Sequence, residues 1–427
     1  MLTNYLIKMH KMKNFLSFIL IAFVITTGQY IYGQKKDPSL APTPPMGWNS
    51  WNYFGKDDIN EEIVYEVIDA IIEHGLKDAG YNYVVIDGGW RDVKLSPEGK
   101  LLPHPVKFPN GIKPLVDYAH ERGLKFGLHT VPGTHDCGGD EVGGYNREEL
   151  HVQQFVEWGL DFVKLDLCRH ENLDCGSAAI THAGWCEEPI EEVYEKWSEL
   201  LYNSGREIIL SISAYRFRDW NPDVSHMSRT TFDIQSKRQV EGAVFNSESR
   251  ENRGFLTVMA CAEINNRYAD FAGNGYWNDP DMLVTGDQGL SVREQESHFA
   301  LWSIITAPLM LGNDPRNMDD SEKKLILNRE IIAINQDPGE QGILYKNVDN
   351  AQIWKKRLSN GDLALLLLNL DPEESKEVKV DFKEFDLPQK LNIRDVINHK
   401  NLKYRNNEFS RLLEPHACKF ILVSGKR

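Results

Sequence analysis

Four aspartates, Asp87, Asp166, Asp233 and Asp281, each fall at or near the end of a short apolar run, where a carboxylate is costly unless it is paired or at work. Two acids suffice to cleave a glycosidic bond, one protonating the leaving oxygen while the other acts on the opposite side of the anomeric carbon. In the segment Phe162-Val163-Lys164-Leu165-Asp166-Leu167-Cys168, side chains of an extended strand alternate with period two, so Lys164 and Asp166 share a face. An ammonium beside it keeps a carboxylate ionised, as a nucleophile requires. Arg229 and Asp233 share a face in the same way if Ser228–Asp233 is extended, and Asp233 then suits the general acid/base, whose proton must be available near the working pH. The bland alternative for each acid is a structural network with Arg and Lys; four at one place favour a site.

The elements that must hold these acids are legible in the periodicity. Ile63, Val67 and Ile71 recur at helical spacing, Gly80 stops the helix, and Tyr81–Asp87 reads as a buried strand. The unit returns with Leu115 and Tyr118, Gly123 and the strand Leu124–His129; again at 148–168, with Gly159 and the strand Asp161–Asp166; and again with Val193 and Trp197, Gly205 and the strand Glu207–Ser213. Met46–Ser50, Met227–Asp233, Tyr276–Met282 and Pro308–Gly312 complete eight strands. The expected fold is therefore α/β, a (β/α)8 TIM barrel, whose reactive groups belong at the C-terminal strand ends. From about Gln341 the helical period gives way to short strands, including a hairpin from Gln352–Leu358 and Leu363–Leu368. Val378–Phe382, Lys390–Val396 and His416–Val423 continue them as a C-terminal antiparallel β-sandwich. The expected domains are a barrel over 34–340 and a sandwich over 341–427.

Lys8, Lys11 and Lys13 precede a mostly apolar run from Phe15 to Ile25, followed by small and polar residues near Gly28 and Gly33. That is the pattern of a signal peptide over 1–33, too short to span a bilayer, so a secreted or periplasmic protein without membrane insertion is expected. A net charge of −15 opposes binding to nucleic acid or anionic lipid. Export permits disulfides among Cys137, Cys168, Cys175, Cys186, Cys261 and Cys418, whose spacing fits no zinc site. Cys175 with Cys186 is a pairing suggested by proximity alone.

Long motifs in order resemble glycoside hydrolase family 27, the α-galactosidase and α-N-acetylgalactosaminidase family. They are Pro44-Pro45-Met46-Gly47-Trp48-Asn49-Ser50-Trp51, Lys164–Cys168, Arg229–Asp233 and Trp277-Asn278-Asp279-Pro280-Asp281-Met282, then His298–Asp314 and Asn335-Gln336-Asp337-Pro338. The resemblance implies a retaining hydrolase with Asp166 as nucleophile and Asp233 as acid/base, needing no metal or cofactor. It implies substrate contacts from Trp48 as a stacking wall and from Asp87, His129, Lys164, Arg229 and Asp281, and a disulfide between Cys137 and Cys168. The implied partner is an oligosaccharide or a polysaccharide side chain.

Three positions depart from the α-galactosidase pattern. Asp87 is followed by Gly88 where a second acid is usual, His129 stands for a Tyr, and Ala214 falls where a sugar-binding Glu is expected, with Ser213 or Tyr215 as the alternatives if the alignment shifts. Losing a group that pairs a sugar hydroxyl changes discrimination more than bond cleavage. Release of β-L-arabinopyranose, α-N-acetylgalactosamine or isomaltose-type glucosides is therefore the competing expectation, and a non-catalytic carbohydrate-binding protein the remote one.

Overall fold

The computed structural model describes residues 35–176, 180, 183–234 and 253–425; the expected signal peptide lies outside the described residues. The described residues from Lys36 onward form one compact unit. Eight parallel strands, β1 (Met46–Asn49), β2 (Tyr83–Ile86), β3 (Lys125–Thr130), β4 (Phe162–Asp166), β5 (Ile209–Ser213), β6 (Met227–Arg229), β7 (Trp277–Asp279) and β8 (Leu309–Leu311), pair in the order 7-6-5-4-3-2-1-8. A parallel bridge between Leu283 and Leu311 joins the segment after β7 to β8. Helices α1 (Glu61–Glu73), α2 (Lys113–Glu121), α3 (Glu148–Trp158), α4 (Glu187–Tyr202), α5 (Arg253–Asn265) and α6 (Val292–Ile304) accompany the strands. In α1, Val64, Val67, Ile68 and Ile71 are buried on one stripe, and Asn60 caps the first turn by accepting from the Ile63 amide.

Strand alternation sorts the core into two layers. Trp48, Val84, Ile86, Val163, Leu165, Leu210 and Ile212 face the helices in the main apolar cluster, whereas Tyr83, Val85, Phe162, Ile209, Met227, Trp277 and Met310 form a separate cluster inside the sheet. Gly47 and Gly127 allow this inner packing, since a Cβ on either would stand under 3 Å from Tyr83 or Phe162. The polar residues that follow along the same inward positions rise above this apolar floor.

The C-terminal part has a six-stranded antiparallel sheet and a two-stranded one, built from β9 (Ile343–Val348), β10 (Ala351–Arg357), β11 (Leu363–Asn369), β12 (Lys376–Asp381), β13 (Leu391–Asp395), β14 (Lys400–Leu402), β15 (Glu408–Leu413) and β16 (Cys418–Gly425). All seven residues of β11 are buried, because one face joins the barrel core through Leu366 and Leu368 and the other packs on β12 and β15 residues through Leu365 and Leu367. Both faces of this strand are therefore core, which explains its unbroken apolar run.

His226, at 2% exposure, accepts a hydrogen bond from the Leu210 amide on Nδ1 and lies 3.0 Å from the Asp37 carbonyl on Nε2. That arrangement needs a neutral ring, and burial pushes its pKa down to about 4. The stability this residue carries is present above its ordinary value near 6.5 and drains away as pH falls toward the folded value. Between pH 7 and pH 5 the wild type is expected to lose about 2 kcal/mol more than His226→Gln, measured by urea unfolding. Equal losses contradict the assignment.

Candidate active site

A cavity of about 360 Å³ opens at the C-terminal ends of the strands, lined among others by Trp51, Asp87, His129, Lys164, Asp166, Tyr215, Arg229, Asp233 and Asp281. Seven of the eight residues expected at the site thus meet at one mouth. The eighth, Trp48, does not.

Trp48 is wholly buried in the helix-facing core, with its indole N–H donating to the Asn313 carbonyl. Asn49, its neighbour on the opposite face, donates from Nδ2 to Asp87. The strand ends there, and the indole that reaches the cavity belongs to Trp51, at the start of the short helical turn Trp51–Phe54. Period-two alternation carries that signal, since a residue adjacent to an inward Asn49 must point outward. Ala214 is corrected for the same reason. It is buried among the apolar residues facing the helices, while Ser213 and Tyr215 line the cavity.

Asp87 and Lys164 form the first charged pair. The Lys164 ammonium lies 2.7 Å from Asp87 Oδ2, and the carboxylate also accepts from Asn49 and from the Gly88 amide. Burial alone would raise the Asp87 pKa, but Lys164 and His129 outweigh it and hold the carboxyl far below its usual range. Lys164 is in turn held well above the ordinary lysine value: burial works against its charge, and Asp87 and Asp166 overcome that.

Asp166 ends β4 at 8% exposure. Its Oδ2 lies 3.5 Å from His129 Nε2, and the Tyr215 hydroxyl is bonded to the same carboxylate. Lys164 shares the strand face as expected but spends its hydrogen bond on Asp87; its charge reaches Asp166 at longer range. Burial opposes ionisation of Asp166, yet the His129 hydrogen bond and the Lys164 charge win, and the pKa is lowered. A sheltered, ionised carboxylate is what nucleophilic attack on carbon demands.

Asp233 is placed differently. β6 stops at Arg229, so the extended Ser228–Asp233 strand does not form, and Asp233 stands in the loop beyond it with its side chain 54% exposed. The pair survives, because Arg229 Nη2 lies 3.0 Å from Asp233 Oδ1 and Nη1 lies 3.2 Å from Asp281 Oδ1. Asp281, at φ +98°, accepts the amides of Met282 and Ile234. Burial pushes its pKa up to about 6 against the pull of Arg229. One guanidinium thus bridges a buried acid and a solvent-facing acid.

Cys137 is joined to Cys168, and Cys175 to Cys186. Among the described residues, the one cluster with metal-ligand chemistry is His129, Asp166 and Cys168. The Cys168 sulfur is committed to its disulfide, which leaves two donors, fewer than the three or four a zinc ion takes from protein. Among the described residues no helix is long and apolar enough to cross a membrane.

Comparison with known proteins gives the family. A family model described as alpha galactosidase A matches residues 43–337, and one described as the alpha galactosidase C-terminal beta sandwich domain matches residues 348–423. The chain is 35% identical over 393 residues to the α-galactosidase of Cyamopsis tetragonoloba, covering 91% of this chain and 87% of that one. It is 34% identical over 422 residues to α-galactosidase 2 of Arabidopsis thaliana, covering 96% and 98%. The crystal structure of α-galactosidase I from Mortierella vinacea superposes with a TM-score of 0.79 at 27% identity, covering 91% and 99%. A (β/α)8 barrel and β-sandwich carrying paired carboxylates at its mouth, matched along nearly its whole length by these proteins, belongs to glycoside hydrolase family 27, the melibiase family, and the chain is a glycoside hydrolase.

Proposed function

We propose that this hydrolase releases terminal α-D-galactosyl residues from oligosaccharides or polysaccharide side chains with retention of configuration. The observation that carries the reading is the contrast between two acids on one cavity, a buried ionised Asp166 and an exposed Asp233. Asp166 attacks the anomeric carbon as Asp233 gives its proton to the leaving oxygen, forming a glycosyl ester. Asp233, now a carboxylate, takes a proton from water, which hydrolyses the ester from the face the leaving group vacated. The buried Lys164–Asp87 pair and the Arg229–Asp281 pair offer fixed hydrogen-bonding groups to the sugar hydroxyls, and Trp51 an apolar face. The apolar floor of the barrel closes the cavity below, which suits a chain-end sugar. The leader over 1–33, the barrel over 34–340 and the sandwich over 341–427 complete the proposal, with export by the leader.

A second reading keeps the mechanism and changes the sugar. Gly88 supplies no carboxylate beside Asp87, and a Cβ there would stand 3.1 Å from the Trp51 ring, so the indole occupies the space of the missing side chain. With His129 also facing the cavity, a hydroxyl that an acid or a phenol would bind meets different partners. A panel of nitrophenyl α-galactoside, α-N-acetylgalactosaminide, β-L-arabinopyranoside and α-glucoside separates the two. The first reading expects the highest kcat/KM on the α-galactoside; a preference of tenfold or more for another member transfers the proposal to that sugar. Binding without turnover of any member would leave only carbohydrate recognition.

A further inference from the structure

The disulfide beside the site conceals a third metal donor. His129, Asp166 and Cys168 are all buried, and one ligand atom from each lies within 4.8 Å of the other two. His129 Nδ1 and Asp166 Oδ1 have no hydrogen-bond partner among the described residues. What prevents a three-donor site is the bond from Cys168 to Cys137. The two sulfurs are unequal in access: Cys137 is exposed and lines the cavity, whereas Cys168 is 3% exposed. An external thiolate therefore attacks the Cys137 sulfur, and the sulfur expelled is that of Cys168.

We propose that reductive opening of this disulfide creates an inhibitory site for a borderline-soft divalent cation of the zinc class, held by Cys168, His129 and Asp166. In the first step a thiolate forms a mixed disulfide with Cys137, and the electron pair of the broken S–S bond leaves on Cys168 as thiolate. A second thiol of a dithiol reductant then releases Cys137 as a thiol and is itself oxidised to a cyclic disulfide. The freed thiolate and the Asp166 carboxylate balance the two charges of the cation, and a neutral His129 nitrogen supplies the third bond. The fourth position faces the cavity and takes water. A cation so placed consumes the lone pair that Asp166 would offer to an anomeric carbon. Oxidised protein thus keeps its carboxylate free, and reduced protein yields it to metal. The inhibition rests on Asp166 being the nucleophile; the binding does not.

Cobalt(II) reports the binding by its thiolate charge-transfer band, and zinc reports the inhibition. The full chain is compared as oxidised wild type, as wild type reduced by a phosphine and desalted, as Cys137→Ser, and as Cys137→Ser/Cys168→Ser. The double variant, reduced in the same way, keeps the thiols of Cys175, Cys186, Cys261 and Cys418, so a band from any of them would persist there. The expected result is one equivalent of cobalt with the band in reduced wild type and Cys137→Ser, and no band in the oxidised or double-variant protein. Zinc should inhibit the first two at least tenfold more tightly than oxidised protein, and a chelator should restore the activity, which it would not do for a site merely loosened by reduction. If Cys137→Ser fails to fold, the reduced wild type decides. Absence of the band in reduced protein, its persistence in the double variant, or inhibition of oxidised protein by zinc as tight as that of reduced protein overturns the proposal. A band without inhibition would keep the metal site and count against Asp166 as nucleophile.

Discussion

Asp166→Gly is expected to lower kcat on the preferred aryl glycoside on the order of 10⁴-fold or more, because no other group replaces a covalent nucleophile. Azide should then restore turnover by entering the space the carboxylate vacates, giving a glycosyl azide of inverted configuration. The fold should survive, since Lys164 keeps its 2.7 Å partner Asp87 and no buried cation is left alone. The readouts are steady-state rates with and without azide and the anomeric coupling in the proton spectrum of the azide product. Loss without rescue points to a collapsed site, which a circular dichroism melt would reveal. Retained activity would remove Asp166 from the chemistry.

The second large effect concerns Asp233 and depends on the leaving group. Asp233→Ala should slow cleavage of an alkyl or sugar glycoside by about 10² to 10⁴-fold, the usual worth of a positioned general acid. A dinitrophenyl glycoside, which departs without a proton, should form the glycosyl ester almost as fast as before. Its hydrolysis then becomes limiting because the general base is gone, so a burst of phenol precedes a slow steady state. Azide should speed that second step and give a product of retained configuration, the opposite of the Asp166→Gly product. Arg229 stays anchored by Asp281 at 3.2 Å, so the change is confined to the exposed end of the guanidinium bridge. Equal losses for good and poor leaving groups would deny Asp233 the role of acid.

The strands are readable because each runs as a short apolar segment, four of them just after a glycine stop at Gly80, Gly123, Gly159 or Gly205, and the aspartates at or near their ends follow from that. Inward and outward choices are less legible: motif position puts Trp48 at the site and leaves Ala214, Ser213 and Tyr215 as alternatives for one contact, whereas alternation from Asn49 and Ser213 sends Trp48 and Ala214 toward the helices. Tyr215 had no pattern of its own, since it lies past the end of β5 at φ +57°, in loop geometry that periodicity does not reach. The choice of Asp87 over Asp166 by Lys164 was invisible for a different reason. Both acids sit near the same ammonium, and the hydrogen bond is decided by cross-strand spacing between β2 and β4, not by neighbours along the chain. In the C-terminal sheets, β9 was missed because its side chains are exposed or half-buried, and β15 because only Phe409 and Leu413 of its six residues are buried.

The most direct measurement uses an activated 2-deoxy-2-fluoro glycosyl donor of the preferred sugar, which slows both steps and lets an ester accumulate. Peptide mapping of the inactivated protein should find one sugar on the fragment that contains Asp166, lost on incubation with an acceptor as activity returns. A label on Asp233, on Asp281 or on no residue at all, with inactivation unchanged, would contradict the mechanism.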